Sequence, residues 1–152
     1  MDGSVDTIEA GSDLDGGIPT EDPITGGSLS AHGRTCPKTG ERIHVSYNSA
    51  AAPFGRVDIF EKDWKLKRSI PIDELDCSVM LHDCAITDKY AIVLDFPLTI
   101  RTDRMFLQNK FPVEYEPEHG ARIGLVRRDD GGPTQWFDVK PGVVLHTANA
   151  FE

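Results

Sequence analysis

The sequence predicts an all-β fold. Its apolar residues recur with period two rather than 3.6, as in half-buried strands. Short apolar runs are punctuated by turn formers such as Asp129-Asp130-Gly131-Gly132-Pro133. Ten prolines in 152 residues leave little room for long helices. Many short strands at regular spacing fit a sandwich, a barrel or a propeller, and the pattern alone does not choose among them.

The elements follow in order. Residues 42–47 alternate polar and larger side chains, as a strand buried on one face does, and residues 56–61 do likewise. Residues 69–72 are short and carry Pro71, which suits an edge strand. Residues 79–86 and 90–96 read as two strands joined by a tight connection at Thr87-Asp88-Lys89. Residues 122–127 and 135–139 form a second pair across the turn cluster at 129–133. Residues 143–147 are the last strand expected.

The formal charge is −9, from 16 basic and 25 acidic residues. Phosphate binding requires a basic surface, so this balance argues against nucleic acid as a partner. No Lys or Arg precedes Arg34, whereas seven acidic residues do. Residues 1–26 are therefore expected to be an acidic loop or disordered segment. The three cysteines, Cys36, Cys77 and Cys84, form no CxxC and leave an odd count, which fits a reducing compartment. The chain opens with neither a basic n-region nor an apolar h-region, and no apolar run approaches the roughly 20 residues that span a bilayer. The expected location is cytoplasm or plastid, not secreted.

Three histidines stand in three separate short motifs: Ser30-Ala31-His32-Gly33, Met80-Leu81-His82-Asp83-Cys84 and Leu145-His146-Thr147-Ala148-Asn149. They lie 50 and 64 residues apart, so only a folded scaffold could collect them. Neutral imidazole is the commonest protein ligand for iron, zinc and copper. Two other histidines fit such a site less well. His44 alternates within a strand and is expected to face solvent; His119 lies in a turn and is expected to be structural or solvent-facing.

The words around these histidines carry a resemblance. Residues 80–90, Met-Leu-His-Asp-Cys-Ala-Ile-Thr-Asp-Lys-Tyr, resemble the "MMHDFAITENY" signature of the carotenoid cleavage oxygenases. Residues 91–98 are similar to that family's "VIFLDLPL" strand, residues 121–128 to its "ARIGVLPR" segment, and residues 135–139 to its "WFEV". His146-Thr147-Ala148-Asn149-Ala150-Phe151-Glu152 resembles "HxANAWE", and Ala31-His32 with Lys38-Thr39-Gly40-Glu41 resembles "AHPKxDPxTGE". The matches keep the family's order over most of residues 27–152. Gly33-Arg34 stands where the family has Pro-Lys, and Phe151 where it has Trp.

The resemblance implies a seven-bladed β-propeller, of which about three blades would be present, truncated at both ends. It implies one Fe(2+) held by four histidines, with His32, His82 and His146 on the first three positions and the fourth outside the chain. Their ring nitrogens should then converge to within about 3–5 Å. It implies a dioxygenase that cleaves a conjugated C=C bond of a carotenoid, apocarotenoid or stilbene-like substrate with O2, giving two carbonyl products. Phe96 and Leu98 would help to shape the apolar substrate tunnel, or else pack a blade. The partners implied are an apolar polyene or stilbene and O2, with peripheral membrane contact in a full-length protein. The competing reading is a non-catalytic propeller fragment lacking the complete iron site.

Two rival metal sites are weaker. Cys77, His82 and Cys84 offer zinc-type ligands, but C-x4-H-x-C is not a usual knuckle. A two-histidine, one-carboxylate iron site would need Asp83, which in a strand points away from His82. There is no G-x-S-x-G elbow, P-loop or H-E-x-x-H motif.

Overall fold

The computed structural model describes residues 28–152; the acidic segment 1–26 lies outside the described residues. The strands are β1 (Ser28–Leu29), β2 (Arg34–Thr35), β3 (Arg42–Tyr47), β4 (Gly55–Phe60), β5 (Leu66–Pro71), β6 (Ala85–Ile86), β7 (Tyr90–Asp95), β8 (Leu98–Ile100), β9 (Val113–Tyr115), β10 (Arg122–Arg127) and β11 (Gln135–Asp138). A short helix, α1 (Thr102–Gln108), joins β8 to β9. The first sheet runs β1-β3-β4-β5 with β2 also on β3, the second runs β11-β10-β7-β6, and β8 pairs with β9. All pairings in these sheets are antiparallel. The all-β expectation holds.

The period-two pattern produces the core directly. Ile43, Val45, Val57 and Ile59 occupy one face of β3 and β4, with Ile43 opposite Ile59 and Val45 opposite Val57. They share one buried cluster with Ile70, Ile72, Val79 and Leu81, and with Ala91, Val93 and Val126 of the second sheet. Burying side chains of this size stabilises by about 1.5–3 kcal/mol each. Gly55 is required where β4 begins: a Cβ there would meet Leu75 Cδ1 at 2.5 Å and Leu81 Cδ1 at 2.8 Å.

The opposite face of β3 departs from expectation. His44 is buried rather than facing solvent. Trp64 and Phe60 cover it, with ring centroids 5.5 and 6.2 Å from the imidazole, and Arg42 lies 4.3 Å over the Trp64 ring. Next to it Asp58, wholly buried, receives the Ser46 hydroxyl at 2.6 Å and the Ser69 hydroxyl. β3 and β4 are therefore covered on both faces, and alternation along β3 marks a change of chemistry, not a boundary with water.

The other boundaries repay comparison. The 69–72 strand is observed as β5, which begins earlier and forms the sheet edge expected of it. The connection at 87–89 closes with the Thr87 N–H donating to the Tyr90 carbonyl at 2.9 Å. Residues 79–86 are not one strand. Leu81 and His82 each donate their N–H to the carbonyl two residues back, at 2.9 and 3.0 Å, which makes tight turns and leaves only β6 in the ladder. Residues 143–147 form no strand either. Val143, Val144 and Leu145 stay exposed, with no partner strand among the described residues. The hairpin β8–β9 and helix α1 were not anticipated. No residue of α1 is buried, so α1 has no apolar stripe to announce it. Among the described residues no helix is long and apolar enough to cross a membrane.

Burial pushes the His44 imidazole down to about 4, outweighing the opposing pull of the Ser30 backbone carbonyl. Above pH 6.5 the ring is neutral in both states. As pH falls from 6.5 towards 4, only the unfolded chain takes up the proton, so stability is lost over that window, by about 3 kcal/mol. Denaturant unfolding of the wild type and of His44→Gln at pH 7.5 and 4.5 should show a smaller acid loss in the variant. Equal losses would place the acid sensitivity elsewhere.

Candidate metal centre

His32 lies in the loop between β1 and β2. That loop is fixed by the Ser30 N–H on the Val45 carbonyl at 2.7 Å and the Ser30 hydroxyl on the His32 carbonyl at 2.9 Å. Gly33 follows because nothing larger fits: a Cβ there would sit 2.1 Å from Nε2 of His44. His82 belongs to the turn-rich segment before β6, where Leu81 anchors in the core and Met80 donates to the Leu98 carbonyl at 2.8 Å. His146 lies in the irregular segment after β11, fixed by the Thr147 N–H on Asp83 at 2.8 Å.

The three rings converge. Their centroids are 4.9 Å (His32–His82), 4.6 Å (His32–His146) and 5.1 Å (His82–His146) apart, all edge-to-face. One nitrogen from each lies within 4.8 Å of the others, and among the described residues no other group joins the cluster. Two donors bound to one ion at about 2.0–2.1 Å are at most about 4.2 Å apart, so a small side-chain adjustment separates this arrangement from ligation. Burial, and then the neighbouring imidazoles His32 and His146, push His82 below the ordinary histidine value. A neutral ring is the form that binds a metal. The chemistry of the donor set thus fits a divalent ion such as Fe(2+).

The rivals separate in space. Cys84 is buried and burial pushes its thiol up to about 12, so it stays protonated. Cys77 lies 3.8 Å from Nδ1 of His119, whose Nε2 is 2.7 Å from Asp95. His119 is therefore structural. Phe96 and Leu98 are half-buried at the entry to β8, alongside the His82 segment through the Met80–Leu98 bond.

Asp83 is not a ligand but has a place of its own beside the site. It is buried and lies outside the ligand cluster. Its Oδ2 receives Arg34 Nη2 at 2.9 Å and the Thr147 N–H at 2.8 Å, and it stands 3.9 Å from Nδ1 of His146. Only the order of the words, His32-Gly33-Arg34, His82-Asp83 and His146-Thr147, could have signalled that these three polar residues share one site.

An all-β frame that gathers three imidazoles from three distant loops offers a candidate metal centre. The sequence pattern of the retinal pigment epithelial membrane protein family matches residues 4–152, and the chain belongs to that family, which includes the carotenoid cleavage oxygenases. It is 32% identical over 127 residues to carotenoid 9,10(9',10')-cleavage dioxygenase 1 of Arabidopsis thaliana, covering 82% of this chain and 23% of that protein. It is 26% identical over 164 residues to the carotenoid cleavage oxygenase of Mycobacterium tuberculosis, covering 82% and 32%. The crystal structure of cobalt-substituted Synechocystis ACO superposes with a TM-score of 0.62 at 30% identity, over 84% of this chain and 28% of that one. The lignostilbene dioxygenase of Pseudomonas brassicacearum shares the fold, with a TM-score of 0.64 at 24% identity, over 73% and 23%. The chain thus spans about a quarter of the length of the Arabidopsis relative it matches.

Gly33→Ala should drive a methyl group into the His44 ring and displace the His32 loop. A stability loss of about 1–3 kcal/mol in denaturant unfolding is expected, as for other overpacked sites. An unchanged midpoint would show that the loop yields freely.

Proposed function

We propose that this chain supplies three ligands, His32, His82 and His146, to the iron of a non-haem dioxygenase that cleaves a conjugated C=C bond with O2 into two carbonyl products. The observation that supports it is the convergence of three imidazoles from loops 50 and 64 residues apart. Such sequence-distant convergence costs loop-closure entropy, and the cluster leaves imidazole edges facing one another with no carboxylate among them. Ferrous iron, when bound, would supply the redox chemistry with O2. The chain's own contribution is to hold the three rings together and, at His82, to favour the neutral form. The names of its relatives, carotenoid and lignostilbene dioxygenases, support an apolar polyene or stilbene as substrate.

The finer architecture belongs to the same proposal. The first and second sheets and the β8–β9 hairpin are read as parts of about three blades of a seven-bladed propeller. Phe96 and Leu98 are proposed to line an apolar tunnel. Met105, Phe106, Leu107 and Phe111 form an exposed apolar group on and after α1, which supports peripheral contact with a membrane that stores such substrates. The second reading, a non-catalytic fragment, is favoured by one fact: the chain covers 23% of the Arabidopsis relative.

The two readings part in one assay. The purified chain is given ferrous iron, O2 and a panel of carotenoid, apocarotenoid and stilbene substrates, and carbonyl products are followed by chromatography. Little or no turnover is expected from the chain alone. An extended protein carrying a fourth histidine should turn over, and His82→Ala should abolish it. Absence of turnover from the extended protein with every substrate would overturn the dioxygenase assignment.

A further inference from the structure

The residues that follow the three histidines form an arrangement of their own. Arg34 comes two positions after His32, Asp83 one after His82, and Thr147 one after His146. Asp83 Oδ2 receives Arg34 Nη2 at 2.9 Å and the Thr147 N–H at 2.8 Å, and the Thr147 hydroxyl lies 3.2 Å away. Asp83 Oδ1 takes the Cys84 N–H at 2.7 Å. Arg34 Nη2 also reaches the Thr147 carbonyl and hydroxyl oxygens at 3.1 and 3.0 Å, and that hydroxyl lies 3.0 Å from the Cys84 carbonyl. The side chains of Arg34 and Asp83 are only 7% and 1% exposed.

We infer that Asp83 is the positioning residue of the three-histidine site, acting through a clasp with Arg34 and Thr147 that ties the three ligand-bearing segments together. The inference rests on the metal-site reading above. Each partner of the carboxylate belongs to a segment carrying one of the histidines. A buried carboxylate accepts only, and here it faces a guanidinium and an N–H, which only donate. An amide in its place would turn a donor towards donors and leave Arg34 as an uncompensated buried cation. Residues 80–84 and 139–152 form no strand, and the clasp bonds the His82 and His146 segments directly to each other.

The buried Asp95 provides a matched control. It too is 1% exposed, and it pairs with Arg122 at 2.7 Å and His119 at 2.7 Å, outside the ligand cluster. The whole chain is titrated with Co(2+), and affinity is read from visible absorption under conditions where circular dichroism shows every variant folded. Asp83→Asn should weaken Co(2+) binding about 10–100-fold. Arg34→Lys, which keeps the cation, and Thr147→Val, which keeps the N–H, should weaken it less. Asp95→Asn should lower the melting temperature and leave Co(2+) affinity unchanged. Unaltered affinity in Asp83→Asn, or an equal loss in Asp95→Asn, would overturn the clasp as a positioning device.

Failure of the metal reading itself would look different: no cobalt bands in the wild type, or bands untouched by His82→Ala. The metal-free chain then decides the clasp. Proton NMR should show the ring resonances of His32 and His146 moved by Asp83→Asn and not by Asp95→Asn. Ring resonances that stay in place in Asp83→Asn would overturn it.

Discussion

A carboxylate taken out of water must find its donors inside the protein, and at Asp83 they come from two other segments. An isolated buried ion costs several kcal/mol, so a fold that seats Asp83 without Arg34 or Thr147 is strongly disfavoured. The demand is local, but its effect is long-range. It joins residues 49 and 64 positions apart and brings three histidines with them.

The interior repeats this logic with different chemistry. Asp58 is satisfied by the hydroxyls of Ser46 and Ser69 on the neighbouring strands, pinning β3, β4 and β5 in register. Asp95 is satisfied by Arg122 of β10 and by His119 in the turn before it. Buried ion pairs add little net stability against an apolar replacement, whereas loss of one partner is costly. Here Asp58 and Asp95 each tie neighbouring strands together by side-chain bonds across the ladder.

The period-two pattern made the sheets legible, and 42–47 was read at its observed limits. The three histidines were legible from the words around them. What could not be read depended on contacts between distant residues. His44 looked solvent-facing because Trp64, which covers it, lies 20 positions away. Nothing in the sequence marks Arg34 as buried, and only the placement of Asp83 shows why it is. The run Val143-Val144-Leu145 has the composition of a strand, but a strand also requires a neighbour to bond with. His82 was read inside a strand because its apolar neighbours resemble one, while the actual backbone turns tightly to send Leu81 into the core.

The side chain of Glu152 has a role that its exposure conceals. It accepts the Thr87 hydroxyl at 2.7 Å and the Lys89 N–H at 3.0 Å, and pairs with Lys89 Nζ at 2.5 Å. Lys89 and Thr87 hold its carboxyl down to about 2. Two moorings follow His146 in the chain, Thr147 on Asp83 and Glu152 on the β6–β7 turn, and both lie on its C-terminal side. The imidazole is therefore not carried on a loose segment. It is held near His32 and His82 at the high effective concentration of a short intramolecular tether. The outer mooring includes an exposed ion pair that weakens as ionic strength rises, whereas the buried Asp83 anchor beside His146 is screened much less.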